Sequence, residues 1–198
     1  MRRRMKDPKA ETKAASILRE AIRIKQEIKK HHIAKIIKIS EVIASAIDAG
    51  GKILIFGNGG SASDAQHIAA ELVGRFQKER KAYPALALTT NTSVLTALAN
   101  DYSYDIVFAR QVAALAAKGD VAIGISTSGK ARNVINGIKE AKRRGLKTVV
   151  LTGGSGGELV HLADSSVVVP STVTARIQEA HITIAHIICE LVENRLSR

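Results

Sequence analysis

His67 and Glu71 stand four residues apart in a stretch with helical spacing, so their side chains share one face and can converge on a single ion or substrate atom. Further along, Gln178 and His186 are separated by about two helical turns and lie on broadly the same side of their own helix. Two imidazoles, a carboxylate and an amide oxygen form a donor set suited to a borderline divalent ion such as zinc. Spacing alone suits packing equally well, because a lone histidine on a helix is more often structural. His31, His32, His161 and His181 are read in that second way, as solvent-facing or packing residues.

Two short loops offer a different chemistry. Gly57-Asn58-Gly59-Gly60-Ser61 and Ser126-Thr127-Ser128-Gly129 each follow an apolar run and precede a helical stretch. That placement aims free backbone N–H groups and hydroxyls at one spot, which is how an α/β protein holds a phosphate without a formal positive charge. The first loop is no dinucleotide fingerprint, since Ala62 occupies the third glycine position, and it lacks the lysine of a nucleoside-triphosphate loop. A phosphorylated sugar is the ligand class that remains.

Positioning those loops requires a particular order of elements. Ala14, Ile17, Ala21, Ile24 and Ile28 mark one apolar face of a helix over Lys9 to Lys30, and Ile33 to Ile47 repeat the pattern up to Gly50-Gly51. The period then changes: Lys52 to Phe56 is a nearly continuous apolar run, the mark of a strand covered on both faces. Strands are also predicted at Ala85 to Thr89, Val121 to Ile125, Thr148 to Leu151 and Ser166 to Val169. Helices are predicted at Ser63 to Phe76, Ser93 to Ala99, Ile106 to Ala117, Ala131 to Arg144, Glu158 to Leu162 and Arg176 to Leu196. This alternation predicts an α/β three-layer sandwich with a five-stranded parallel sheet, right-handed crossovers, and ligands at the carboxyl ends of the strands. The whole chain, 1–198, reads as one domain, with 1–50 as an N-terminal helical extension that packs on the sheet or on another subunit.

Composition narrows the class. Hydrophobic residues make up 45% and mean hydropathy is +0.03, which suits one sizeable globular core. The net charge of +12 suggests nucleic acid until it is located: the first 39 residues hold thirteen Lys or Arg against four acids, so +9 of it sits there. Arg2, Arg3 and Arg4 read as a solvated tail, and Lys25, Lys29, Lys30, Lys35 and Lys38 as the wet faces of helices. With aromatics at only 3%, stacking platforms for bases are lacking, and no nucleic-acid partner is expected. No membrane segment or signal peptide is apparent, and the one cysteine, Cys189, reads as a buried small hydrophobe; a cytoplasmic location is the expectation.

The two loops, His67 and Glu71, Gly74-Arg75, Asn100-Asp101 and Arg176-Ile177-Gln178-Glu179 together resemble the phosphoheptose isomerases, a family of the sugar isomerase (SIS) fold, from about residue 40 to 195. The resemblance implies a homotetramer that converts sedoheptulose 7-phosphate to D-glycero-D-manno-heptose 7-phosphate, the first step toward ADP-heptose for lipopolysaccharide and other surface glycans. It puts Asn58, Gly59, Gly60, Asn100, Asp101, Ser126, Thr127 and Ser128 at substrate-contacting positions, a set that Ser61, Glu71 and Gln178 complete. It puts zinc on His67, Glu71, Gln178 and His186, with Glu71 and His186 as the acid-base pair. The chain departs from the pattern at Ala131, usually Ser, and at Ala175, where many members have Asp. A non-catalytic adaptor of the same fold, which binds the bacterial replication initiator protein, shares both loops; it lacks the carboxylate and the final-helix imidazole that this chain has at Glu71 and His186.

Overall fold

Short apolar runs and amphipathic stretches alternate along the chain, and the inner strands are buried because helices return across both faces of the sheet. The computed structural model describes residues 7–197, so the reading of Arg2, Arg3 and Arg4 lies outside the described residues. Helices α1 (Pro8–His31) and α2 (Ile33–Asp48) come first. They are followed by β1 (Ile53–Gly57), α3 (Gly60–Val73), β2 (Ala85–Ala87) and α4 (Thr92–Asp101). A 3-10 turn (Tyr104–Ile106) then leads into α5 (Val107–Leu115), β3 (Val121–Ser126), α6 (Arg132–Arg143) and β4 (Lys147–Gly153). The chain ends with α7 (Leu159–Leu162), β5 (Ser165–Val169) and α8 (Thr174–Leu196).

The five strands pair in parallel in the order β2-β1-β3-β4-β5. Because side chains alternate across the pleat, Ile53 and Ile55 enter one apolar layer with α1, α2, α3 and α8. Leu54 and Phe56 enter the other, with α5, α6 and α7. Phe56 stacks on Phe108 there, ring centroids 5.2 Å apart. The fold is the predicted three-layer α/β sandwich. The N-terminal pair packs on the sheet through α2, and α1 packs on α8 and α2, burying Ile24 and Ile28. The earlier part of the predicted α1 face finds no such cover, and Ile17, Leu18 and Ile22 are exposed.

Two carboxylates, Asp120 buried and Asp164 exposed, hold the amino ends of the strands in register. Asp120 accepts from Lys52 N–H (2.9 Å), Lys52 Nζ (2.6 Å) and Ala117 N–H (2.8 Å), joining the starts of β1 and β3. Burial opposes its charge, but these donors hold the carboxyl below its ordinary range. Asp164 accepts from the N–H and hydroxyl of Thr148, tying β4 to β5.

Element boundaries differ where tertiary contacts intervene. Helix α3 starts and ends about three residues earlier than predicted, stopping at Gly74 as its C-cap. Strand β2 stops at Ala87 instead of Thr89, because as an edge strand it pairs only with β1. The interior strand β4 is longer than predicted, having partners on both sides.

Candidate functional site

From β1 the chain crosses to β2 on one side, while β3 lies on the other, so the loops leaving β1 and β3 part and open a crevice at the carboxyl edge. Gly57 and Ile125 are register partners, which sets the two predicted loops side by side. The crevice holds about 340 Å³, walled by Asn58, Gly59, Gly60 and Ser61 of one loop, Ser126, Thr127 and Ser128 of the other, and Thr174 and Gln178 of α8. No lining residue is charged. Gly60 lets the Gln178 side chain close against it, and a Cβ there would push that amide aside. Gly129 has to be glycine: its φ is +66°, and a Cβ would strike the Gly156 carbonyl.

Three helices start at this crevice, and none has a side-chain cap: α3 after Gly59, α6 after Ala131, α8 after Val173. By contrast, Asp7 and Asn91 cap α1 and α4 with their own oxygens. Three helix ends and three hydroxyls converge here, and their dipoles suit a dianionic phosphate; at α3, Ser61 and Ala62 N–H already donate to the Asn58 and Gly59 carbonyls, and at α6 Val134 N–H donates to Asn133 Oδ1. The Ser-to-Ala departure at Ala131 belongs here, because serine at that N-cap position would offer the competing oxygen. Lys130 was not singled out from the sequence. It is the one charged residue lining an adjoining compartment of about 270 Å³ shared with Thr127, Ser128 and Thr174.

Asn58 faces a partner the sequence reading missed. It exchanges amide hydrogen bonds with buried Asn133 at the start of α6 (2.8 and 2.9 Å), and its Oδ1 also accepts from Tyr104 (3.2 Å). Asn100 and Asp101, at the end of α4, are exposed, bonded to each other (2.9 Å), and do not line the crevice. A larger, mostly aliphatic groove of about 480 Å³ beside β2 includes none of the predicted site residues.

On the flank where α3 crosses α8, three of the four predicted metal ligands meet. His67 Nε2 lies 3.0 Å from Glu71 Oε1 and 3.2 Å from His186 Nε2. One donor atom from each of the three falls within 4.8 Å of the others. Two imidazole nitrogens aimed at one another beside a carboxylate suit a shared cation, and the donor types are those of zinc sites. Gln178 does not join them within this chain: it sits at Gly60, about 12 Å along the α8 axis from His186. Phe76 backs the His186 ring, centroids 5.6 Å apart.

Two further ionisable groups border the triad. Asp64, between Gly60 and His67 on α3, has one carboxylate oxygen buried without a partner, and burial pushes its carboxyl above the usual range while His67 pulls it back. Cys189 is buried as expected; burial, with Glu71 next in effect, pushes its thiol up to about 12, so it stays a neutral apolar neighbour.

The chain matches the SIS domain family over residues 17–153. It is 53% identical over 186 residues to the phosphoheptose isomerase of Thermodesulfovibrio yellowstonii, covering 94% of this chain and 92% of that one. The chain belongs to the phosphoheptose isomerases of the SIS domain family. Its likeness to the probable phosphoheptose isomerase of Thermoplasma acidophilum is 58% over 164 residues, 83% of this chain and 90% of that one. The structure of phosphoheptose isomerase GmhA from Neisseria gonorrhoeae superposes with a TM-score of 0.89 at 42% identity, covering 93% of this chain and 99% of that one. As a phosphoheptose isomerase, the chain is an enzyme that isomerises a sugar phosphate.

Proposed function

We propose that this phosphoheptose isomerase interconverts sedoheptulose 7-phosphate and D-glycero-D-manno-heptose 7-phosphate, the entry to ADP-heptose for surface glycans, as a zinc-dependent cytoplasmic homotetramer. The observation that carries the substrate reading is the separation of two unlike ends. A neutral, hydroxyl-lined crevice at converging helix starts suits the phosphate, and the His67–Glu71–His186 cluster stands about 10 Å further along α3. An extended seven-carbon sugar phosphate bridges that gap with its reacting carbons at the cluster, whereas a triose phosphate falls short.

Aldose–ketose isomerisation moves a proton between C1 and C2 through an enediol. Glu71 takes the proton from one carbon and returns it to the other. His186 moves a proton between the two oxygens. Gln178, in the crevice wall, offers its amide to sugar hydroxyls, and first-turn N–H groups with Ser126, Thr127 and Ser128 hold the phosphate. His67, Glu71 and His186 would hold the divalent ion, whose charge polarises the carbonyl and anchors hydroxyls. Supporting assembly, Ile17, Leu18 and Ile22 form an exposed apolar stripe on α1 of the kind a second copy covers. No helix among the described residues is long and apolar enough to cross a membrane.

The test is formation of heptose 7-phosphate from sedoheptulose 7-phosphate, before and after chelation. Turnover that chelator abolishes and zinc restores is the expected result. Turnover of shorter phosphosugars only, or indifference to chelator, overturns the substrate or the metal reading respectively.

A further inference from the structure

Arg80 and Glu193 form an ion pair that is almost wholly buried, with 4% and 2% side-chain exposure and Nε 3.0 Å from Oε1. Such a pair adds little stability over an apolar replacement, because desolvation offsets the attraction. What it holds is more telling. Glu193 accepts from the backbone N–H groups of Phe76 (3.0 Å), Gln77 (2.8 Å) and Lys78 (2.9 Å). Burial would raise its carboxyl, but these donors and Arg80 hold it below the usual range.

Arg80 reaches the other way. Its Nη2 donates to the Glu71 carbonyl (2.8 Å), and Nη1 donates to the carbonyls of Leu72 (2.9 Å) and Gly74 (3.2 Å). Carbonyls in the last turn of a helix have no partner inside it, so the guanidinium acts as the C-terminal cap of α3 at the residue whose side chain enters the cluster. Its flat face rests on the Tyr83 ring, 3.9 Å away. Glu193 lies seven residues beyond His186 on α8, two turns on and on the same face. The loop it clamps delivers Phe76 to the His186 ring.

We propose that the Arg80–Glu193 clasp is a positioning device for the His67–Glu71–His186 cluster, locking the carboxyl end of α3 and the 74–83 loop onto α8 so that donors from two helices stay within reach of one ion. The proposal rests on the reading of that cluster given above. It assigns no contact with substrate to either residue. The crevice lies at the other end of α3, so phosphate binding is independent of the clasp.

Arg80→Lys keeps a cation opposite Glu193 but replaces the five-donor fork with a single ammonium, which cannot serve the α3 carbonyls as well. The full-length variant, folded by circular dichroism, is titrated with Co2+ by visible absorption, and its kcat and KM are measured at fixed zinc. Expected are a 10–100-fold weaker Co2+ affinity, the range typical when groups supporting metal ligands are lost, a reduced kcat, and an unchanged KM. Unchanged Co2+ affinity, or a KM that rises in step with the loss of kcat, overturns the proposal. If Arg80→Lys does not fold, Glu193→Gln, which preserves size, is judged by the same readouts. Should the wild-type chain bind Co2+ through His186, as shown by loss in His186→Ala, yet turn over no phosphosugar, the proposed activity fails and the titration still decides the clasp.

Discussion

The crevice and the cluster are built from opposite materials. The crevice is walled by helix starts and hydroxyls at strand ends, with no charged side chain. The cluster is made of two imidazoles and a carboxylate from α3 and α8, with His67 and His186 119 residues apart in sequence. Backbone dipoles are fixed by the fold and do not titrate, so they suit a ligand whose charge is constant. Side-chain donors can gain and lose protons, which the reaction requires, but they must be held together by packing.

The sharpest way to break this comparison is Glu71→Gln. It removes the proposed base while leaving the crevice intact, so kcat falls about 100-fold or more and KM moves little. Near wild-type turnover in steady-state assays would show that the chemistry lies elsewhere. Thr127→Val tests the other end. Deleting one donor to a charged phosphate raises KM roughly 10- to 100-fold and spares kcat; the reverse pattern would mean that the crevice does chemistry as well as binding.

The smallest effect probes the support beneath the hydroxyl loop. His181, fully buried, lies against Thr152 at the end of β4, its Nε2 3.1 Å from that carbonyl, and burial lowers its pKa from 6.5 to about 4. The unfolded chain therefore binds the proton first. This contribution to stability is fully present above about pH 6.5 and is lost progressively as pH falls toward about 4. At pH 6 the loss is about 1 kcal/mol. Urea unfolding between pH 7.5 and 5 reads it directly, and His181→Gln flattens that part of the slope.

Much of this was legible beforehand, for identifiable reasons. Continuous apolar runs such as Ile53 to Phe56 can only be strands buried on both faces, so the sheet and the loops at its carboxyl edge followed from local pattern. His67 and Glu71 were paired correctly because helical spacing is a local property. Grouping Gln178 with His186 was equally local and placed them on one face, but two turns of helix leave them at separate ends of the site. Asn133, Tyr104, Arg80 and Glu193 carried no signal in isolation, since each acts only through a partner distant in sequence.

The order of polar and apolar residues, by itself, determined that this chain would make parallel strands joined by helices, with a glycine loop and a hydroxyl loop at their carboxyl ends. Periodicity and turn chemistry act over a few residues and need no knowledge of the rest. Only the tertiary structure decided that α8 crosses α3 so as to bring His186 to Glu71 while Gln178 closes over Gly60. That crossing is set by how two apolar faces interlock across the sheet, a property of many side chains packed together rather than of any one segment.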